Sequence, residues 1–190
     1  MNIVLLGPQG SGKSTQAKNL SKYLNLPYFS MGEQIKLIDK DTSHKLNSLV
    51  KSDFESGKLV SNAVVNKILN DFLETSISLG FVIDGTPRNI NQATFIDEFL
   101  EVHNKKLNLA VFINTSINEC KKRILKRVEL EHRPDDTPEA VEQRLNIYFT
   151  KTQPILDLYK AKNILITING DPSPEEVWSS LKDSVDNFLS

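Results

Sequence analysis

Cysteine is nearly absent from this chain: of 190 residues, Cys120 is the one thiol. A single thiol forms no internal disulfide and no cysteine-based zinc cluster, which fits a reducing, intracellular setting. Tryptophan also occurs once, and the 39% of hydrophobic residues fall in short runs. None approaches the roughly 20 apolar residues of a membrane span. Neither sign of charge dominates, since 23 Lys and Arg balance 24 Asp and Glu for a net charge of −1. That balance excludes bulk attraction to nucleic acid or to an acidic membrane and leaves anion recognition to local clusters. The opening MNIVLLGPQG lacks a basic n-region and a small-residue cleavage site, so the expectation is a cytoplasmic protein. His44, His103 and His132 have no ligand-like spacing. The length suggests one domain with room for inserted lobes.

Several short apolar runs end in turn chemistry. Asn2 to Leu6 leads into Gly7, Phe81 to Ile83 into Asp84-Gly85, Leu109 to Ile113 into Asn114, and Ile164 to Ile168 into Asn169-Gly170. Continuous runs of this kind predict strands buried on both faces, hence a parallel sheet under helices. Pro27 to Phe29 is a shorter candidate for a fifth strand. Helical periodicity fills the intervals over 13–24, 91–102, 116–127, 138–149 and 174–189. Ser116 with Glu119 reads as a capping box, and Thr137 and Ser173 as caps before Pro138 and Pro174. The pattern predicts an α/β, doubly wound five-stranded parallel sheet. About fifty residues between Phe29 and Phe81 read as wholly helical, too many for one crossover. Residues 31–60 are therefore expected to form an inserted helical lobe, and the polar stretch 128–136 a mobile loop between helices. The core would then comprise 1–30, 61–127 and 137–190.

Gly7-Pro8-Gln9-Gly10-Ser11-Gly12-Lys13-Ser14 fits G-x-x-x-x-G-K-[ST] at every fixed position. Glycines let successive backbone N–H groups turn toward one centre, and the following helix aims its positive end there. Lys13 is expected to reach the β/γ-phosphates, and Ser14 or Thr15 to ligate Mg²⁺. Asp84 ends a neighbouring strand, where Mg²⁺ or its waters need a hard oxygen ligand.

Arginine is scarce in an informative way. Only five of the 23 basic residues are Arg: Arg88, Arg123, Arg127, Arg133 and Arg144. Four of them lie in RILKRVELEHRPDDTPEAVEQR, and none stands before Arg88 or after Arg144. Arg differs from Lys where a planar fork must hold phosphate oxygens. Arg123 and Arg127 are spaced i, i+4 and share a helix face. Arg133 lies in the polar loop and Arg144 on the returning helix. Their convergence on one polyphosphate would make the loop a closing lid that stabilises charge and excludes water.

These residues resemble the adenylate kinase family of nucleoside monophosphate kinases, in its short-lid form. GPQGSGKSTQ resembles the family's P-loop, SMGEQIK its first monophosphate-binding segment, and GKLVSN the edge of its monophosphate lobe. DGTPRNINQA resembles its Asp-Gly-Phe-Pro-Arg signature, and RILKR, RPDDT and QRL its lid arginines. The resemblance covers essentially the whole chain. It implies a P-loop fold, Mg²⁺-dependent transfer from ATP to AMP, and a monomer whose partners are small nucleotides. On the ATP side it implies Gly10, Ser11, Gly12, Lys13, Ser14, Thr15, Arg123 and Arg127, with a backbone contact at Gly170. On the AMP side it implies Met31, Lys36, Lys58, Val60, Gly85, Arg88 and Gln92, with Arg133 and Arg144 bridging the two phosphates. Lys13, Arg88, Arg123, Arg133 and Arg144 form the implied catalytic set, and Ser14 and Asp84 the implied Mg²⁺ site.

Departures bear on base specificity. Ser14 stands where the family usually has Gly, Lys36 replaces the usual Arg, Met31 the usual Thr, Thr86 the Phe, and Ser61-Asn62 the Pro-Asp. Two alternatives therefore stand beside an adenylate kinase. One is a UMP/CMP kinase of the same family, toward which Gly32-Glu33 and Asn89 lean while Gln92 leans away. The other is a nucleotide-binding protein without kinase activity.

Overall fold

The structure, a computed structural model, describes residues 1–55, 60–131 and 138–189; the side chains of 54, 55, 127–131, 138–141, 143, 144, 146, 147 and 149 are outside that description. The elements in chain order are β1 (Asn2–Leu6), α1 (Lys13–Leu24), β2 (Tyr28–Ser30), α2 (Met31–Lys40), α3 (Asn47–Glu55), α4 (Asn62–Ser76), β3 (Phe81–Asp84), α5 (Ile90–Val102), β4 (Leu109–Asn114), α6 (Ile117–Glu131), α7 (Pro138–Ala161), β5 (Leu165–Asn169) and α8 (Pro174–Leu189). The strands form a five-stranded sheet in the order β2-β3-β1-β4-β5, with every pair parallel. The short run at Pro27 to Phe29 is indeed a strand, shifted by one residue.

Strand parity divides the interior into two layers. Val4, Leu6, Phe81, Ile83 and Ala110 face one cluster, where they meet Leu69 and Leu73 of α4, Ile96 and Leu100 of α5, and Ile155 and Tyr159 of α7. Ile3, Leu5, Val82, Val111 and Ile113 face the other, against Ala17 and Leu20 of α1 and Val177, Leu181 and Val185 of α8. Burial on both faces is why the central strands β1, β3 and β4 read as unbroken apolar runs instead of alternating ones. Met31, Ile38, Leu46, Val50 and Val60, from the segment read as an inserted lobe, join the first cluster. Among the described residues this lobe's apolar side is continuous with the core.

Two helices run past the ends read in the sequence. Helix α7 continues past Phe149 to Ala161, with Pro154 inside it. A proline in a helix interior costs about 3 kcal/mol. Ile155, Leu156 and Tyr159 just beyond it are buried, and each large apolar side chain contributes about 1.5–3 kcal/mol on burial, so tertiary packing overrides the local breaker. Helix α6 runs on to Glu131 instead of ending at Arg127. The loop expected over 128–136 therefore begins with a helical turn, and its remainder, 132–136, lies outside the described residues.

The capping box read at Ser116 is only half formed. Glu119 N–H donates to Ser116 Oγ at 3.3 Å, but Ser116 N–H donates to Asp171 Oδ1 at 2.8 Å. The Glu119 carboxylate is instead taken by Arg123 Nε at 2.9 Å, a charge-assisted bond that a neutral backbone N–H does not match. At α8 the box is complete: Ser173 N–H donates to Glu176 Oε2 at 3.0 Å and Glu176 N–H to Ser173 Oγ at 3.3 Å. The Ser173 contacts hold the Glu176 carboxyl below its ordinary range.

Candidate active site

The carboxyl ends of β1, β3, β4 and β5 open onto one crevice, at the switch point where the strand order reverses. Gly7, Gly85, Thr115 and Gly170 follow those four strands directly. In the glycine loop, Gly10 and Gly12 both sit at φ 84, a left-handed conformation in which Gly alone is at ease. Space also requires Gly10, since a Cβ there would meet the Cys120 carbonyl oxygen at 2.6 Å and Ile124 at 3.0 Å. The loop thus rests against α6 without intervening side chains. Lys13 opens α1 and folds back so that its Nζ donates to the Pro8 carbonyl at 3.3 Å. Thr15 is exposed in the same first turn, and Ser11 is buried beneath the loop.

Behind the loop, Ser14 Oγ donates to Asp84 Oδ2 at 2.5 Å. Parity places this carboxylate on the α1 side, the side that Val82 also faces. Asp84 is 2% exposed, and its Oδ1 is buried with no hydrogen-bond partner among the described residues. A buried unpaired carboxylate oxygen costs free energy unless something positive or protic meets it. The pair Ser14 and Asp84 therefore suits a hard divalent cation or its waters.

Arg123 braces the other wall. Its Nε holds Glu119, its Nη1 donates to the Ser11 carbonyl at 3.4 Å, and its Nη2 donates to the carbonyls of Asp171 and Pro172 at 2.9 and 3.0 Å. The guanidinium so joins α6, the glycine loop and the turn after β5, which a lysine point charge could not do. Its hydrogen bond also holds the Glu119 carboxyl below its ordinary range. Gly170 lies in the same corner, where a Cβ would run into Thr115 Oγ1 and meet Ile113 Cγ2 at 2.7 Å. Thr115, which nothing in the sequence pattern singled out, is 4% exposed and donates to the Ser11 carbonyl at 3.3 Å. Cys120 is fully buried beneath the loop, and desolvation pushes its thiol up to about 11, which keeps it protonated and unreactive at neutral pH.

The second half of the crevice follows β3. Gly85 (φ 83) lies against Met31, a Cβ there reaching 3.5 Å from the Met31 side chain. Arg88 is exposed, and its Nε donates to the Gly85 carbonyl at 2.9 Å. Gln92 is 4% exposed, in the first turn of α5 under its N-cap Asn89. Val60 is buried in the first core cluster, and Lys36 is half-buried on α2. The structure thus brings Gly85, Arg88, Gln92 and Met31 to one side of the glycine loop. Lys58 and Arg133 lie outside the described residues, as do the side chains of Arg127 on α6 and Arg144 on α7. Besides Thr115, Tyr28 carried no functional pattern of its own. Tyr28 leaves a buried hydroxyl without a hydrogen-bond partner among the described residues, and burial, with the Asp84 charge second, pushes its phenol well above the ordinary range; Asn62, marked in the sequence only as a departure from the usual Asp, bonds directly to Gln92.

A left-handed glycine loop that opens a helix at the sheet's carboxyl edge exists to hold phosphate. Fold and loop together place the molecule among P-loop nucleotide-binding proteins. A family model described as adenylate kinase matches residues 5–164. The adenylate kinase of Leptospira biflexa is 36% identical over 184 residues, covering 96% of this chain and 98% of that protein. That of Bifidobacterium longum is 35% identical over 178 residues, covering 93% and 95%. Adenylate kinase 1 of a Nostoc species is 35% identical over 181 residues, covering 95% and 96%. The chain belongs to the adenylate kinase family.

Proposed function

We propose that this chain is a nucleoside monophosphate kinase catalysing ATP + AMP = 2 ADP. The observation that carries the reading is the meeting, in one crevice, of a phosphate-holding loop with the Gly85–Gln92 turn. A hydrolase would need the first and leave the second idle. Phosphoryl transfer asks a protein chiefly for alignment of two phosphates, neutralisation of charge, and exclusion of competing water. In this reading Lys13 leaves the Pro8 carbonyl to follow the transferred group. Arg88 holds the acceptor phosphate, with Lys36 as a weaker point charge beside it. Arg123, from its braced position, lies against the ATP base beside Gly170, and Arg127 joins it on the ATP side. Arg133 and Arg144 bridge the two phosphates.

Ser14 and Asp84 would hold Mg²⁺ directly or through its waters, as the buried unpaired Oδ1 fits. Bound there, the cation would neutralise charge on the β- and γ-oxygens. The segment 31–60 acts as the acceptor-binding lobe and 128–136 as a short lid. The Met31, Gly85 and Val60 side of the lobe lines the acceptor pocket with the backbone at Lys58. A cytoplasmic monomer belongs to the same proposal; no helix among the described residues is long and apolar enough to cross a membrane.

One coupled assay tests the reading. With Mg·ATP and AMP, CMP, UMP, GMP or no acceptor, ADP formation should be stimulated by AMP above the others. Preference for CMP or UMP would move the chain to the pyrimidine branch. ATP binding without turnover on any acceptor would make it a nucleotide-binding protein and not an enzyme.

A further inference from the structure

The Gln92 carboxamide is held at every oxygen lone pair. Its Oε1 accepts from Arg88 N–H at 2.7 Å and from the Thr86 hydroxyl at 3.1 Å. Its Nε2 donates to Asn62 Oδ1 at 3.0 Å, and the same oxygen accepts from Asn89 Nδ2 at 2.9 Å. Asn89 Oδ1 in turn accepts from Gln92 N–H at 3.0 Å. The direction of this network follows from its two backbone ends. Arg88 N–H can only donate, so the Gln92 oxygen must face it; Gln92 N–H can only donate, so the Asn89 oxygen must face that. The amide of Asn89 then points its nitrogen at Asn62, whose oxygen answers both amides. Turning the Gln92 carboxamide over would set its NH₂ against Arg88 N–H and its oxygen against the Asn62 oxygen. With Thr86 1% exposed and Gln92 4% exposed, water cannot cheaply repair either clash.

A carboxamide can ordinarily read a base edge as donor and acceptor together. Here both lone pairs of Oε1 are used, and one Nε2 hydrogen remains beyond the bond to Asn62. Resting on the kinase reading above, we infer that Thr86 and Asn62 lock Gln92 as a donor-only reader of the acceptor base. The base it accepts presents an unprotonated ring nitrogen, as adenine does at N1. Guanine, hypoxanthine and uracil present a ring N–H at that edge and set donor against donor. The 6-amino group of adenine is left unread by this side chain. Thr86 and Asn62 are positioning residues: neither need touch the nucleotide.

The test compares AMP with purine riboside 5′-monophosphate, which keeps the ring nitrogen and lacks the amino group. In the unaltered protein the ratio of kcat/KM for the two should stay within about threefold, because the Gln92 side chain makes no hydrogen bond to the amino group. Thr86→Val is close in shape and frees one lone pair of Oε1 to accept from that group. It should raise the preference for AMP by about three- to tenfold, a typical net hydrogen-bond effect, through the acceptor KM with the Mg·ATP KM unmoved. Thr86→Ser keeps the hydroxyl and should restore the original ratio. A preference for AMP above tenfold in the unaltered protein would overturn the inference without any variant. A ratio that is the same in all three proteins would also overturn it while leaving the kinase reading intact. Failure to bind or phosphorylate either monophosphate would instead bring down the kinase reading, and this inference with it.

Discussion

The two halves of the crevice are made of different material. The glycine-loop half, proposed above for ATP, is framed mainly by backbone: a glycine loop, a helix end, and carbonyls of Ser11, Asp171 and Pro172 gathered by one guanidinium. The half that follows β3, proposed above for AMP, is framed mainly by side chains: the carboxamides of Gln92, Asn62 and Asn89 and the Thr86 hydroxyl, which orient one another. Backbone geometry offers every nucleotide the same phosphate grip. A side-chain network can be re-aimed by one substitution. On the proposed reading, generality and selectivity fall to opposite walls.

The largest effects should fall on the charge that each half contributes to transfer. Lys13→Met and Arg88→Ala are each expected to cost about 2.7–4 kcal/mol of transition-state stabilisation, or 10²–10³ in kcat/KM. Steady-state kinetics with both substrates varied would check this; near-normal kcat/KM in either variant breaks the assignment of its half. Next come the glycines. Gly10→Ala and Gly85→Ala share the strain of a positive φ, about 1–2 kcal/mol. Only Gly10 adds a backbone collision, 2.6 Å from the Cys120 oxygen, whereas the nearest atom to a Cβ at Gly85 is 3.5 Å away. In thermal unfolding Gly10→Ala should lose more than the roughly 2–8 °C expected from strain alone, and Gly85→Ala should stay within it. Equal losses would mean that the ATP half is no more tightly built than the other. The smallest effect should be Lys36→Arg. It replaces a point charge by a fork and should lower the AMP KM about two- to threefold with no change in the Mg·ATP KM. An unaltered AMP KM would remove Lys36 from the acceptor site.

The same contrast explains what could be read from the sequence. Apolar runs buried on both faces marked β1, β3 and β4, the edge strands β2 and β5 showed as shorter or half-exposed apolar runs, and a glycine spacing that dictates backbone shape marked the phosphate loop. Asp84 was legible as a strand-end carboxylate because a turn follows it. The Thr86–Gln92–Asn62–Asn89 network was not, since a bond spanning 30 residues between Asn62 and Gln92 leaves no period or motif. The length of α7 was hidden for a related reason: its proline announces an end that distant packing cancels. Glu119 misled in the opposite direction, because a local capping pattern lost its carboxylate to Arg123.

The placement of Asp84 has one more consequence. Phe81, Val82 and Ile83, which precede it on β3, are each 0% exposed. Slippage by a single position would drive all three into the wrong layer, so the oil on either side of the sheet sets the reach of the carboxylate. Amide hydrogen exchange along β3 should accordingly proceed only through opening of the whole molecule. The acid group would then keep its aim for as long as the protein holds together at all.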